Sequence, residues 1–323
     1  MYCLKHLQIV ALTALLLPSA ALAQAYPSKP VRLIVPFAPG GATDVISRLA
    51  AQKLTEALGQ QFTVDNRPGA NGNIGTEMAA RAQSDGYTLV MSYDGTLAIN
   101  PSVYRKMPFD PQKDLVPIGS VGQLPLLMLV NSAFPAKNVA EFVAWAKANP
   151  GKVNYSGAGY GSSGHLAAEL LRARAGIDIV HINYKGGGQA VTDLLGGQIQ
   201  MLMTGLTTVE GHLKSGKLRG LAFTSARRLP GAPDIPTFQE SGYPGLVAVS
   251  WYGILGPVGA PPEVVRKVNA EINKLLQLPD VKERLASLGV EGLGGTPEQF
   301  AQLIRDDTAK WEKVVNDAGI RVE

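Results

Sequence analysis

Residues 31–54 run VRLIVPFAPGGATDVISRLAAQKL. The stretch opens on a β-favouring apolar run, Val31–Phe37, passes through the glycine loop Ala38-Pro39-Gly40-Gly41, and enters a helical pattern over residues 44–58. That pattern puts Val45, Ile46, Leu49 and Leu54 on one inward face, with Thr43 as its expected N-cap. Residues 152–176, KVNYSGAGYGSSGHLAAELLRARAG, repeat the plan of strand, glycine loop and helix. A glycine loop running into a helix start leaves backbone N–H groups unpaired at the positive end of the helix dipole, equivalent to roughly half a unit charge. Such an end suits a carboxylate or a phosphate. Two of them, one in each half of the chain, predict a clamp that grips an anion from both sides.

The rest of the chain continues the alternation. Strands are expected at 62–66, 87–92, 124–130, 153–157, 179–184, 199–203 and 247–254. Helices are expected at 74–82, 139–148, 165–175, 190–195, 262–276, 280–288 and 297–316. This order argues for an α/β protein with mostly parallel sheets flanked by helices. A chain of 323 residues, 46% hydrophobic, exceeds what one core serves, so two domains are expected. The first comprises 26–123 with 247–323 and is discontinuous; the second is 124–246. The apolar run at 124–130 carries the chain across, and it returns near Val247. The Pro-rich segment at 229–237 is surface loop.

The N-terminus predicts export. Lys5 supplies a basic start, Leu7 to Leu17 is almost wholly apolar, Pro18 ends the run, and Ala21-Leu22-Ala23 fits a cleavage site after Ala23. The run falls short of the roughly 20 residues that span a bilayer. The expected location is the periplasm. The single cysteine, Cys3, lies inside this leader, so a mature chain has neither disulfide nor thiolate. Losing Lys5 takes the formal charge from +4 to +3, too mild a balance for a nucleic-acid partner.

Gly159-Tyr160-Gly161-Ser162-Ser163-Gly164 matches G-x-G-x-x-G, and Asp178 follows near dinucleotide spacing. Asp178, however, begins the next strand, whereas a ribose-binding carboxylate ends one, and free NAD is a poor partner for an exported protein. The loop is therefore expected to bind an anion, with no cofactor. Ser162, Ser163 and His165 invite a hydrolase reading, but no serine is framed as G-x-S-x-G. Hydroxyls donating to a carboxylate are the simpler use, and His165 either donates too or caps the helix. In the first loop Gly40 and Gly41 admit close approach of backbone to ligand, and Phe37 makes an apolar wall. Tyr184-Lys185-Gly186-Gly187-Gly188 is a third candidate anion loop, with Lys185 either a ligand contact or a solvated cation. Asp94 and Thr96 follow the third strand at the sheet edge where ligands collect, with Tyr93 and Trp251 expected to flank the cleft. His165, His181 and His212 show no metal-ligand spacing, and no metal is expected.

Residues 31–44 resemble the opening of the Bug-type periplasmic receptors of tripartite tricarboxylate transporters. So do Asn66-Arg-Pro-Gly-Ala-Asn-Gly-Asn-Ile-Gly75, Tyr184-Lys-Gly-Gly187, Pro233-Asp-Ile-Pro-Thr237 and Ser250-Trp-Tyr-Gly253, in the family's order and over essentially the whole chain after the leader. The resemblance implies a type II-like periplasmic binding protein: two α/β domains joined by crossing strands, with the ligand cleft between them. It implies a monomer without catalytic activity that closes on a small organic acid, whether di- or tricarboxylate or aromatic carboxylate, and delivers it to a membrane permease. Phe37, Ala38, Gly40, Gly41 and Thr43 would form the first-domain grip. Gly161, Ser162, Ser163 and His165 would form the second, joined by Tyr184 and Lys185. Thr204 departs from the pattern, since the family usually carries an aspartate there; its absence argues against an amino-acid ligand and for a plain carboxylate. Gly211 stands where a proline is common, and no physical account of that is offered. Two other readings follow the receptor reading: a receptor that signals to a membrane sensor kinase, and a secreted serine hydrolase using Ser162 or Ser163.

Overall fold

The computed structural model describes residues 26–157, 159–229 and 231–318; the expected leader lies outside the described residues. The chain begins with β1 (Val31–Val35), α1 (Ala42–Leu58), β2 (Phe62–Asn66), α2 (Asn73–Ala80) and β3 (Thr88–Tyr93). A π-helical turn over Gly95–Ile99 leads into α3 (Asn100–Val103) and the long strand β4 (Leu115–Asn131). Then come α4 (Val139–Ala148), β5 (Val153–Ser156), α5 (Ser163–Ala175), β6 (Ile179–His181), α6 (Gly187–Leu195) and β7 (Met201–Gly205). The last part holds α7 (Glu210–Lys214), β8 (Leu218–Phe223), β9 (Val249–Pro257), α8 (Pro262–Leu275), α9 (Pro279–Ser287), β10 (Glu291–Gly292) and α10 (Pro297–Ala318).

The strands form one curled sheet in the order β2-β1-β3-β9-β4-β7-β5-β6, with β8 and β10 also paired to β4. Within each half the βαβ units pair in parallel: β1 with β2 and β3, and β5 with β6 and β7. The two crossing strands run against them, β9 antiparallel to β3 and β4, and β4 antiparallel to β7 and β8. The molecule is thus a mixed α/β fold in which β4 is common to both sheet halves. Its partner changes at Pro125: Leu115–Pro125 lie against β9, and Leu126–Val130 against β7.

β4 is 17 residues long and extends well before the apolar run expected at 124–130. Pro117, Gly119 and Gly122 disguise its first half. They are tolerated because the ladder with β9 shifts register between Pro117 and Gly119 and again between Ser120 and Gly122, the kind of irregularity that admits residues a regular strand excludes. Strand β8 was not expected, since Arg219 and Gly220 break its apolar run. α1 starts before its predicted position: Gly41 is the N-cap and Thr43 is buried within the first turn. α10 buries Phe300, Ile304, Trp311 and Val315, a stripe at helical spacing that docks on β4 and the Gly95–Ile99 turn. Each such side chain stabilises the fold by about 1.5–3 kcal/mol relative to leaving it in water.

Thr224 ties the two crossing strands where the partner changes. Its Oγ1 accepts from the Leu126 N–H at 2.8 Å and donates to the Ala248 carbonyl at 2.5 Å, while its own N–H reaches the Leu126 carbonyl at 2.8 Å. Replacing Thr224 with Val keeps the shape and leaves the buried Leu126 N–H without its acceptor. We expect a loss of about 1–3 kcal/mol in urea-induced unfolding; a midpoint equal to wild type would show that water substitutes for the hydroxyl.

Candidate functional site

The loops that leave the C-terminal ends of β1, β5 and β6 each open a helix, and all three helices bring their N-termini to one cleft with a cavity volume of about 40 Å³. Gly41, Ala42 and Thr43 come from the start of α1, Ser162, Ser163 and Gly164 from α5, and Gly187 from α6. The first turn of α1 retains donors because its first intrahelical bond is Val45 N–H to Gly41 O. In α5 the cap spends one donor, His165 N–H on Ser162 Oγ at 3.2 Å, and the Leu166 N–H takes the Ser162 carbonyl at 3.0 Å. Phe37, Tyr93 and Tyr252 build an aromatic wall, Phe37 edge-on to Tyr93 at 5.0 Å and Tyr252 stacked on Tyr93 at 6.0 Å. Leu126, Met203, Thr204, Gly205 and Ser250 complete the lining. No Lys or Arg is among these described lining residues, so the positive potential here comes from backbone dipoles.

Gly164 explains the G-x-G-x-x-G match. A Cβ there would lie 2.4 Å from the Met203 carbonyl oxygen and 3.0 Å from Gly157 Cα, so α5 packs on the sheet more closely than any side chain permits. This is the close helix–strand contact that the third glycine allows in dinucleotide folds, used without a dinucleotide. Asp178 is exposed at the N-terminal end of β6, opposite the loop.

The two halves touch across the cleft. A methyl built on Gly186 would sit 3.6 Å from the Ala38 methyl, and one on Gly188 would sit 3.4 Å from the Pro39 carbonyl oxygen.

Seven of the residues singled out in the sequence line this cavity together: Phe37, Gly41, Thr43, Tyr93, Ser162, Ser163 and Thr204. The others lie elsewhere. Gly40 is exposed, with φ +87°, and its N–H is held by Asp44 Oδ2 at 3.0 Å. Burial pushes the Asp44 pKa up, but hydrogen bonds from Arg48, Asn66 and Gly40 outweigh it and hold the carboxylate below its ordinary value. Ala38 packs against Gly186. Thr96 donates to the Asn71 carbonyl at 2.8 Å, within a buried network where Asn71 also meets Tyr93 and Asn100. Tyr184 and exposed Lys185 border a second recess of about 300 Å³ that shares Phe37 with the cavity.

Gly161 gives its N–H to His165 Nδ1 at 3.1 Å, so that imidazole nitrogen acts as an acceptor within its own loop. Burial pushes the His165 pKa down to about 4 and that of its neighbour His181 to about 3, which keeps both neutral at pH 7. Ser163 donates to Asp94 rather than to an imidazole, an arrangement unlike a nucleophile with its general base. Trp251, expected at the cleft, points the other way. It packs on Phe300 and donates its indole N–H to Asp307, while the next residue, Tyr252, faces the cavity. Ser250 was overlooked because a lone serine before Trp251 carries no signal of its partner.

The sequence model of the tripartite tricarboxylate transporter family receptor matches residues 46–320. The chain belongs to this receptor family. Among curated relatives, the receptor is 39% identical to BugT of Bordetella pertussis over 302 residues, covering 93% of each chain. Its fold superposes on the Rhodopseudomonas palustris protein Rpa4515, solved with adipate, with a TM-score of 0.90 at 35% identity, covering 92% of this chain and 100% of that one. MatC from Rhodopseudomonas palustris, solved with bound malate, gives a TM-score of 0.85 at 31% identity over 90% of this receptor and 100% of MatC. The receptor is thus of the solute-binding kind, and its relatives are periplasmic binding proteins.

Proposed function

We propose that this receptor captures a small organic carboxylate by closing its two domains around it and delivers the ligand to a membrane permease. One observation carries the reading: helix N-termini from both sheet halves converge on one cleft whose described lining holds no basic side chain. Closure brings donors from α1 onto an anion already held by α5 and α6, so the ligand favours the closed state by its extra contacts there. Adipate and malate in two relatives support a carboxylate of similar size. The grip consists of Phe37, Gly41, Thr43, Ser162, Ser163 and Thr204, with Ala38, Gly40, Gly161 and His165 shaping the loops behind it.

The moving bodies are residues 26–123 with 247–323, and residues 124–246, hinged where β4 changes partner at Pro125 and where β9 returns. The chain is exported, cleaved after Ala23, and works as a monomer in the periplasm.

Thermal unfolding of the mature protein against mono-, di- and tricarboxylates, aromatic acids and amino acids tests this. A ligand at a hundred times its Kd adds about 2.7 kcal/mol, or several degrees in Tm. A selective rise with one class supports the receptor reading and names the class. No rise with any acid, in protein freed of carried-over ligand, overturns it.

A further inference from the structure

One wall of the cavity has the opposite hydrogen-bonding character to the helix starts. Ser163 Oγ donates to Asp94 Oδ2 at 2.7 Å, and Ser250 Oγ donates to Asp94 Oδ1 at 2.5 Å. Both serines line the cavity, whereas Asp94 stands behind them, fully buried. A serine hydroxyl has a single proton, and an ionised carboxylate only accepts. With Asp94 ionised, as at the pH 8 of the test below, both protons are turned away from the ligand space. Ser163 and Ser250 then turn oxygen lone pairs toward it, the two oxygens 3.4 Å apart, with the Tyr252 hydroxyl within hydrogen-bonding reach of Ser250.

We propose that Asp94 is a specificity-determining residue: by holding Ser163 and Ser250 as acceptors, it makes this wall a seat for an O–H or N–H donor, so the ligand is a carboxylic acid bearing a hydroxyl or ammonium group. The inference rests on the carboxylate-receptor reading and sharpens it. The ligand's carboxylate belongs at the helix N-termini, which donate. A second bare carboxylate pressed on the serine pair would meet lone pairs with lone pairs, next to a buried aspartate that no described Lys or Arg contacts by a hydrogen bond. A hydroxyl satisfies one of the two acceptors, and an ammonium group satisfies both and also compensates the Asp94 charge. A site built to receive a donor rejects the analogue that lacks it, because its own buried groups are then left unpaired. Thr204 removes a carboxylate from one position in the lining, and on that residue alone a plain acid is expected. Asp94 supplies a carboxylate behind a different wall, and the plain acid is disfavoured.

The test compares acids matched in length and differing at one substituent. Succinate, malate and aspartate form one trio; adipate, 2-hydroxyadipate and 2-aminoadipate form another. Isothermal titration with the mature protein at pH 8 gives each Kd. In the trio of fitting length, the hydroxyl or ammonium member binds more tightly than the unsubstituted acid by about tenfold or more. Which of the two leads separates a hydroxy-acid receptor from an amino-acid receptor. Asp94→Asn places an amide N–H against one serine and releases that hydroxyl proton toward the cavity, so the preference shrinks, most for the ammonium member. Ser250→Ala removes one acceptor without touching the carboxylate and reads the same preference should the first variant fold poorly. An unsubstituted acid that binds as tightly as its substituted partners overturns the inference and leaves the receptor reading standing. So does selective binding of an aromatic acid without a donor. Absence of binding by every acid removes the receptor reading, and this inference with it.

Discussion

Gly41→Leu abolishes ligand-induced thermal stabilisation while leaving the ligand-free protein folded, and Gly41→Ala keeps it. The contrast follows from where a side chain at this position would lie. Gly41 caps α1 with φ −81° and ψ 169°, a backbone any residue adopts. A Cβ there would sit 3.9 Å from the Gly187 N and 3.9 Å from the Ala38 carbonyl oxygen, ordinary contact distances. Alanine therefore fits this structure and costs only a fraction of a helix cap, under about 1 kcal/mol.

Leucine extends well beyond that Cβ, toward a cavity of about 40 Å³ in which Gly187 forms the facing wall. Its branched end must displace the ligand or hold the domains apart. Overpacking of a tight contact costs about 1–3 kcal/mol, and under the proposed domain closure the closed form bears that cost while the open form escapes it. Closure alone is then disfavoured by roughly 10- to 100-fold, and a direct clash with the ligand weakens binding further. The measurement is Tm with and without the best acid from the panel, beside circular dichroism of the free variant. Leucine at this position with wild-type ligand stabilisation would mean that the ligand sits elsewhere, with the recess bordered by Tyr184 and Lys185 as the next place to look.

What the sequence made legible was local. The glycine loops at 38–41 and 159–164 were visible because a strand pattern, a glycine cluster and a helical period follow one another within a few residues. The third loop, at 184–188, announced itself the same way. The common destination of these loops follows from parallel βαβ units, which place such loops at one sheet edge. Features that depend on pairing were hidden. The first half of β4 carries Pro117, Gly119 and Gly122, and only the irregular ladder with β9 explains how they fit a strand. The choice between Trp251 and Tyr252 turns on register, where a slip of one residue exchanges cavity face for core. Asp94 was legible as a residue of the sheet edge, but its buried place behind two serines was not. Its serine partners lie 69 and 156 residues away, and no local pattern encodes a bond of that reach.

The stability difference between Asp94→Asn and the wild type grows as pH rises from about 4 to about 7 and then levels off. Burial is the main cause: it pushes the Asp94 pKa up to about 7, against the lowering effect of the Ser163 and Ser250 hydrogen bonds. A carboxyl whose folded pKa exceeds its unfolded value binds its proton more tightly when folded. The stability it contributes is fully present below the unfolded value, near 3.8, and is lost as pH rises through the folded value, near 7. Asparagine has no proton to lose, so the variant escapes this loss. At about 1.36 kcal/mol per unit, the difference has a ceiling of about 4 kcal/mol, or several degrees in Tm. Wild-type data alone would not isolate it. His165 and His181, held neutral by burial, lose stability in the opposite direction, as pH falls below about 6.5 toward their depressed values. Subtraction removes both, because the variant keeps them. The groups that face Asp94 from neighbouring elements are Tyr93 and Tyr252, which burial moves to titrate above this pH range, and Asp307 and Lys310 on α10. Thermal unfolding of both proteins, ligand-free, at pH 4.5, 6, 7 and 8.5 gives the curve. A difference that stays flat would mean that burial does not raise the Asp94 pKa and that the carboxyl is in contact with water.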